Sequence, residues 1–302
     1  MATLPVFQKA FLQLLLGTAI WGLGFVAAAH TLRFADPLWS NAFRFLLTSV
    51  LAVLVFGRRF VLDRRNLEGA ALAATALAGA FAFQTAGLKY TTVAHSSLIT
   101  GLYCVFTPLM APLFKAPAPN RIHVVGAVVA VLGLCVLGRA WEATADFNVG
   151  DVLTLGGALV AACHIHIVGR VSKGKDAFAF NALQMVFCGV FSTVLAVVLG
   201  PPMPRDFPAV AWLPYFYLAI FSSLVAFGFQ MTAQQVLSPT TAATLLLMEA
   251  PFGVLAGAAF LDEKLGWSQL LGGALMLGGC LVSIRADTWR VVQAPTKNRV
   301  PP

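Results

Sequence analysis

Charge is what this sequence has least of. Only 11% of its 302 residues are Asp, Glu, Lys or Arg, against roughly 25% in a soluble domain. Hydrophobic residues make up 59% and the mean hydropathy is +0.83, which defines an integral membrane protein. Catalytic signatures are missing too: no His-Glu-x-x-His, no Gly-x-Ser-x-Gly and no nucleotide-binding fingerprint. A membrane enzyme is therefore disfavoured, and any driving force must come from gradients. Cysteine is scarce and unpatterned: Cys104, Cys135, Cys163, Cys188 and Cys280 all fall inside apolar runs. That spacing gives no disulfide framework and no metal set, and it reads as small buried hydrophobes. No cofactor is expected. The net charge of +8 would suggest nucleic acid in a soluble protein. Here basic loops on one side of a membrane account for it, so no nucleic-acid partner is expected.

Apolar runs are what is there. They lie at about 9–29, 37–56, 67–88, 93–114, 122–138, 150–169, 178–199, 209–233, 240–261 and 265–284, and ~20 residues suffice to cross a bilayer. The first could pass for a signal peptide, with Lys9 as its basic end and Ala27-Ala28-Ala29 as a cleavage site. It is longer than the usual ~7–15-residue apolar region and reads better as a span. With the N-terminus inside, the inner joints and both termini hold fourteen Lys or Arg, and the outer joints hold five: Arg33, Lys89, Arg139, Arg205 and Lys264. That asymmetry places both termini in the cytoplasm.

The two halves echo each other. Ala80-Phe81-Ala82-Phe83-Gln84 matches Ala226-Phe227-Gly228-Phe229-Gln230, Pro108 matches Pro251, and Gly126 and Gly133 match Gly272 and Gly279. Five spans per half is an odd number, so the second half must enter the membrane upside down. Inverted repeats place a solute site at their interface and suit alternating access. The expected fold is all-α, about ten transmembrane helices as two inverted five-helix repeats around a central cavity. The expected divisions are 1–145, 146–286 and a tail, 287–302.

These residues resemble the EamA family of the drug/metabolite transporter superfamily. The likeness lies in Trp21-Gly22, Arg44-Phe45, Pro108-Leu109, Glu249-Ala250-Pro251, Leu261-Asp262-Glu263, Gly272-Gly273 and Gly278-Gly279. It spans nearly the whole chain and is strongest over 240–284. It implies export of amino acids and other small metabolites, with a narrower likeness to YddG-type exporters of aromatic amino acids. It also implies that helices one to four and six to nine surround the cavity while the fifth and tenth brace it.

Glu249 and Pro251 sit near the middle of one apolar run. A carboxylate there costs ~2.5–3.5 kcal/mol even on a mild scale, so it must face a partner, the bundle interior or water. Glu249 could bind a substrate amine, carry a coupling proton, cap broken backbone or pair with Arg44. Pro251 should free a carbonyl near Leu247. Arg44 could hold a substrate carboxylate or satisfy groups between helices. Together the two would match a zwitterion.

His164 and His166 lie ~200° apart on a helix and cannot share one metal face. One is expected at the cavity and the other against neighbours. His95 is a candidate rim residue. Gln84 and Gln230 are either interhelical glue or cavity lining. Trp21, Phe25, Phe83, Tyr103, Phe227 and Phe229 could stack on a solute or simply pack. Trp39, Trp141, Trp212, Trp267 and Tyr215 read as interfacial anchors. Gly253 with Gly257, and Gly272, Gly273, Gly278 and Gly279, read as close-approach residues. Pro108 and Pro251 are candidate gating hinges.

The expected function is export of amino acids or related metabolites by alternating access from a bacterial inner membrane. The expected partners are a small-molecule substrate and the lipid bilayer, and a monomer suffices. A nucleotide-sugar or cationic-drug carrier is the nearer alternative. A channel, which would want rings of charge or carbonyls, and an enzyme are remote.

Overall fold

The computed structural model describes residues 4–91, 93–142, 148–204, 207–260 and 265–293. No strand occurs among them. Ten helical elements follow the ten apolar runs. They are α1 Leu4–Thr31, α2 Pro37–Phe56, α3 Arg64–Gly87, α4 in two pieces (Val93–Thr100 and Tyr103–Met110) and α5 Arg121–Leu137. The second half holds α6 Val149–Val171, α7 Ala177–Leu199, α8 (Trp212–Tyr217, Leu218–Ala226 and Phe227–Gln234), α9 in two pieces (Pro239–Leu246 and Glu249–Phe260) and α10 Trp267–Gln293. Among the described residues, eight segments are long and apolar enough to cross a bilayer, and Leu98–Met110 and Arg121–Leu137 are shorter apolar helices.

A helix leaves its first four N–H groups unpaired, and the joints supply caps. Asp36 accepts from Leu38 N, Asp63 from Asn66 N, Asp176 from Ala179 N and Ser238 from Thr241 N. Asn120 and Asn148 close capping boxes with His123 and Asp151.

The repeat is visible in the element bounds. The offset from Gln84 to Gln230 also carries Val93 to Pro239, Thr100 to Leu246, Tyr103 to Glu249 and Arg121 to Trp267. A second offset carries Thr31 to Val171, the caps Asp36 to Asp176, and Asn41 to Asn181. Both broken helices break at matching residues and are sewn by matching bonds. Leu102 N donates to Ile99 O and Cys104 N to Gly101 O; Met248 N donates to Leu245 O and Ala250 N to Leu247 O. The carbonyl expected to be free at Leu247 is thus taken by a tighter turn. Pro251 falls in the first turn of its helical piece, where a missing N–H costs nothing.

Equivalent helices pack on each other: α2 on α7 and α5 on α10. The α5–α10 crossing is set by glycine. A Cβ on Gly126 would lie 2.8 Å from Gly279 O, and one on Gly133 would lie 2.7 Å from Gly272 O. Gly278 meets nothing within 4 Å, and Gly273 only the Pro251 side chain at 3.5 Å. Of the four α10 glycines expected to allow close approach, Gly272 and Gly279 are the pair at the seam.

Two expected anchors are interior residues. Trp39 is 7% exposed and its indole donates to Pro201 O; Tyr215 is fully buried and its hydroxyl donates to Ser40 Oγ. Both pack in an aromatic cluster with Phe43 and Phe207, where each polar tip has found a protein partner. Trp141 and Trp267 are exposed and stack on each other.

Candidate functional site

A cavity of about 160 Å³ lies between the two halves, far above the ~10–15 Å³ that one water needs. Its wall includes Trp21, Arg44, Gln84, Tyr103, His164, Phe227, Gln230 and Glu249. Phe83 lies elsewhere: its ring is 43% exposed and rests on Gly156 of α6. Phe229 packs on Phe178. The side chains of Phe25 and His95 lie outside the described residues.

Arg44 is 5% exposed. Its Nε donates to Ser223 Oγ at 3.1 Å and its Nη2 to Ser222 Oγ at 2.9 Å. The guanidinium lies over the Phe81 ring, 4.5 Å from the centroid. Adjacent serines reach one guanidinium because Leu218–Ala226 is a π-helix, a wider turn that often marks functional sites. The same wide turn receives side-chain donors from neighbouring helices. Trp21 Nε1 donates to Ser222 O, and Asn181 Nδ2 to Ser223 O and Leu224 O.

Glu249 opens the second piece of α9, and its repeat partner Tyr103 opens the second piece of α4. The carboxyl and the hydroxyl both line the cavity and lie within electrostatic reach of each other. Tyr103 Oη has no partner among the described residues although the residue is 4% exposed. No ion pair joins Arg44 to Glu249 among the described residues. The cavity therefore holds a fixed cation and a carboxyl that do not neutralise each other.

The aromatic wall is ordered. Trp21 and Phe227 meet edge to face at 4.8 Å, and His164 stands edge-on to Phe227 at 6.0 Å. His164 Nε2 lies 3.3 Å from Gln184 Oε1. His166 points the other way, bonding Thr107 O at 2.7 Å and stacking on Phe114. Gln84 donates to Thr100 Oγ1 and Gln230 to Gln234 Oε1. No cluster of three or more metal-ligating side chains occurs among the described residues. Pro108 lies inside the second piece of α4, past the break rather than at it.

Sequence reasoning missed Asn41, Thr100 and Ser222, which also line the cavity. Only the period-breaking π-turn brings Ser222 to Arg44, and no sequence pattern marks that turn. Asn41 was legible in principle, since the second offset pairs it with Asn181.

The cavity extends toward one face. Leu32 and Leu88 line both it and a hollow bounded by the loop residues Arg33, Asp36, Lys89 and Pro201. This is the far face. On the near face, Phe7 of α1 and Asp287 of α10 line another hollow, which shares no residue with the central cavity.

Ten apolar helical elements among the described residues, seven of which line a charged cavity at the interface of two repeats, define a multi-pass membrane carrier. The chain belongs to the EamA-like transporter family, whose model matches it twice, over residues 8–139 and 148–285. It is 27% identical to an uncharacterized transporter of Archaeoglobus fulgidus over 91% of this chain and 86% of that one. It is 24% identical to a probable amino-acid metabolite efflux pump of Escherichia coli, covering 91% and 95% of the two chains. A probable terminal-alkyne amino-acid exporter of Streptantibioticus cattleyicolor is 23% identical, covering 97% and 99%. One solved structure, 17% identical, superposes with a TM-score of 0.77 over 95% of this chain and 99% of that one, which shows the shared fold. The chain is a transporter of small molecules, not an enzyme.

Proposed function

We propose that this transporter exports amino acids and related metabolites from the cytoplasm by alternating access, as a single chain in a bacterial inner membrane. The near face is then cytoplasmic, as the basic joints favour. One observation carries the substrate class: Arg44 and Glu249 line one cavity without pairing with each other. A zwitterion offers a carboxylate to the first and an ammonium to the second. The guanidinium keeps Nη1 free of described partners, and a carboxylate is the acceptor that fits its planar fork. Trp21, Phe81 and Phe227 between them favour an apolar or aromatic side chain. The relatives named as an amino-acid metabolite efflux pump and an amino-acid exporter support the same reading.

Uptake of a panel of labelled amino acids into proteoliposomes tests it, wild type beside Glu249→Gln, with and without a proton gradient. Saturable uptake, competed by related amino acids and lost or uncoupled from protons in the variant, is expected. Well-folded protein that carries none of the panel overturns the substrate class and points to cationic drugs or nucleotide sugars.

A further inference from the structure

The far-face opening has residues that the repeat lets us trace to the near face. Thr31, Ser40 and Thr85 line the cavity on its way out. Their hydroxyls are small and bonded: Ser40 donates to Thr31 Oγ1, Thr31 to Ala28 O, and Thr85 lies with Asn41. The two offsets carry Thr31 to Val171, Ser40 to Phe180 and Thr85 to Met231. Three small polar residues on one side thus correspond to three large or apolar residues on the other.

Those counterparts form a dry plug. Phe180 and Met231 are 4% and 1% exposed and pack with Ile167, Val168 and Leu183, with Val171 against them. The plug is fastened from outside. Lys175 Nζ lies over the Phe180 ring, 4.1 Å from its centroid. Gln235 donates to Ser172 O and Lys175 O, strapping the α6–α7 joint to the end of α8. Gln234 donates to Ile165 O. The repeat-related straps at the far face are looser, since the counterpart of Gln235 is Lys89, which reaches Asp36 at 3.4 Å as an exposed ion pair.

We propose that the near-face half of the solute path runs between the ends of α6 and α8 and the start of α7, lined by Val171, Phe180 and Met231, and that the bulk of these three side chains keeps it shut. An inverted repeat reaches its second state when each half adopts the other's arrangement. The near-face path is then the image of the far-face one, and the solute passes these three residues as it passes Thr31, Ser40 and Thr85. Which face is open at rest is decided by what occupies the matched positions, because the frame around them is shared. Water enters past hydroxyls readily and past a packed Phe–Met pair only when the pair separates.

The test uses sidedness of labelling and needs no solute, so it stands apart from the amino-acid reading. Ala161 lines the central cavity. A membrane-impermeant maleimide is applied to Ala161→Cys protein in sealed vesicles of each orientation, with protein lacking that change as background for the five native cysteines. Labelling is expected from the far face, with the near-face rate lower by about tenfold or more. Val171→Thr, Phe180→Ser and Met231→Thr together, which copy the far-face residues, should raise the near-face rate to within about threefold of the far-face rate. The reciprocal pair, Ser40→Phe with Thr85→Met, should depress far-face labelling and raise near-face labelling, and it serves if the triple variant does not fold. A folded, monodisperse triple variant still labelled only from the far face overturns the proposal. So does a folded reciprocal variant with unchanged sidedness.

Discussion

Gly133→Ala is the sharpest probe of how the two halves are held together. The added Cβ would sit 2.7 Å from Gly272 O and 2.7 Å from Met276 N. Neither atom can rotate away, because both belong to the α10 backbone. The α5 and α10 axes must part instead. A gap of ~0.5–1 Å forfeits a quarter to a half of each dispersion well along the seam, and overpacking of this kind costs ~1–3 kcal/mol. Alanine returns up to ~1 kcal/mol of helix propensity, leaving a net loss of ~0–2 kcal/mol. Gly278→Ala is the control: it has the same chemistry on the partner helix α10 with nothing within 4 Å of the new Cβ, so it keeps the propensity gain of up to ~1 kcal/mol. The propensity gain is common to both variants and cancels, so equilibrium unfolding in mixed micelles should separate them by the overpacking cost, about 1–3 kcal/mol. If they unfold within error of each other, the crossing is not set by contact at Gly133 and the packing argument fails.

Tyr103→Phe should leave the empty protein as stable as wild type or raise its stability, since an unmade bond at a buried hydroxyl costs ~1–3 kcal/mol. The same variant should lose transport, and a stability loss above ~1 kcal/mol would show that the hydroxyl is bonded after all. Arg44→Lys keeps the charge but not the fork that spans Ser222 and Ser223. One lost charge-assisted bond is worth ~1.5–3 kcal/mol, so a rise in the transport KM or a matching fall in unfolding free energy is expected, and neither effect would refute the assignment. Asp287→Asn weakens an anchor that holds His123 Nε2 at 2.8 Å and the Ser238 amide at 2.8 Å. It should cost ~1.5–3 kcal/mol and leave the apparent affinity for solute unchanged, as read by unfolding and uptake side by side.

The helices were legible because a bilayer demands long apolar runs, and each run became one element. The breaks in α4 and α9 were half legible. Pro108 and Pro251 advertised irregular backbone, yet the chain turns several residues earlier, at Gly101-Leu102 and Leu247-Met248. Pro251 sits in the first turn of its piece, where a proline is cheapest, and so marks where that piece has begun, whereas Pro108 lies inside its piece and marks neither end. Trp39 and Tyr215 misled because an amphipathic ring suits a bilayer interface and a helix interface equally. Only the partners, Pro201 O and Ser40 Oγ, decide between them. The π-turn that delivers Ser222 and Ser223 to Arg44 was not legible, because it shifts the helical period without any residue that forbids the ordinary one.

Where the two repeats agree, they build the frame and part of the cavity wall; where they differ, they make the site asymmetric. Gly126 with Gly272, Gly133 with Gly279, and Asn41 with Asn181 are matched pairs, and each does the same mechanical work in both halves. Matched pairs, Phe81 with Phe227 and Gln84 with Gln230, also line the cavity, and its asymmetry comes from mismatches. Trp21 faces its counterpart Ala161, Gly24 faces His164, and Tyr103 faces Glu249, with all six on the same wall. Arg44 has Gln184 as its counterpart, an amide that meets His164 instead of the open cavity. Two identical halves would offer a solute two equivalent poses and no preferred end. An amino acid has two unlike ends, so a site that orients it must break the two-fold at the residues that touch it. In this chain the break occurs at Trp21, Arg44, Tyr103, His164 and Glu249 and spares the glycines that hold the halves together. Exchanging Tyr103 and Glu249 as a pair should therefore preserve folding while inverting the pose. Such a double variant should remain as stable as wild type to within ~1 kcal/mol and lose affinity for zwitterions while Arg44 stays in place.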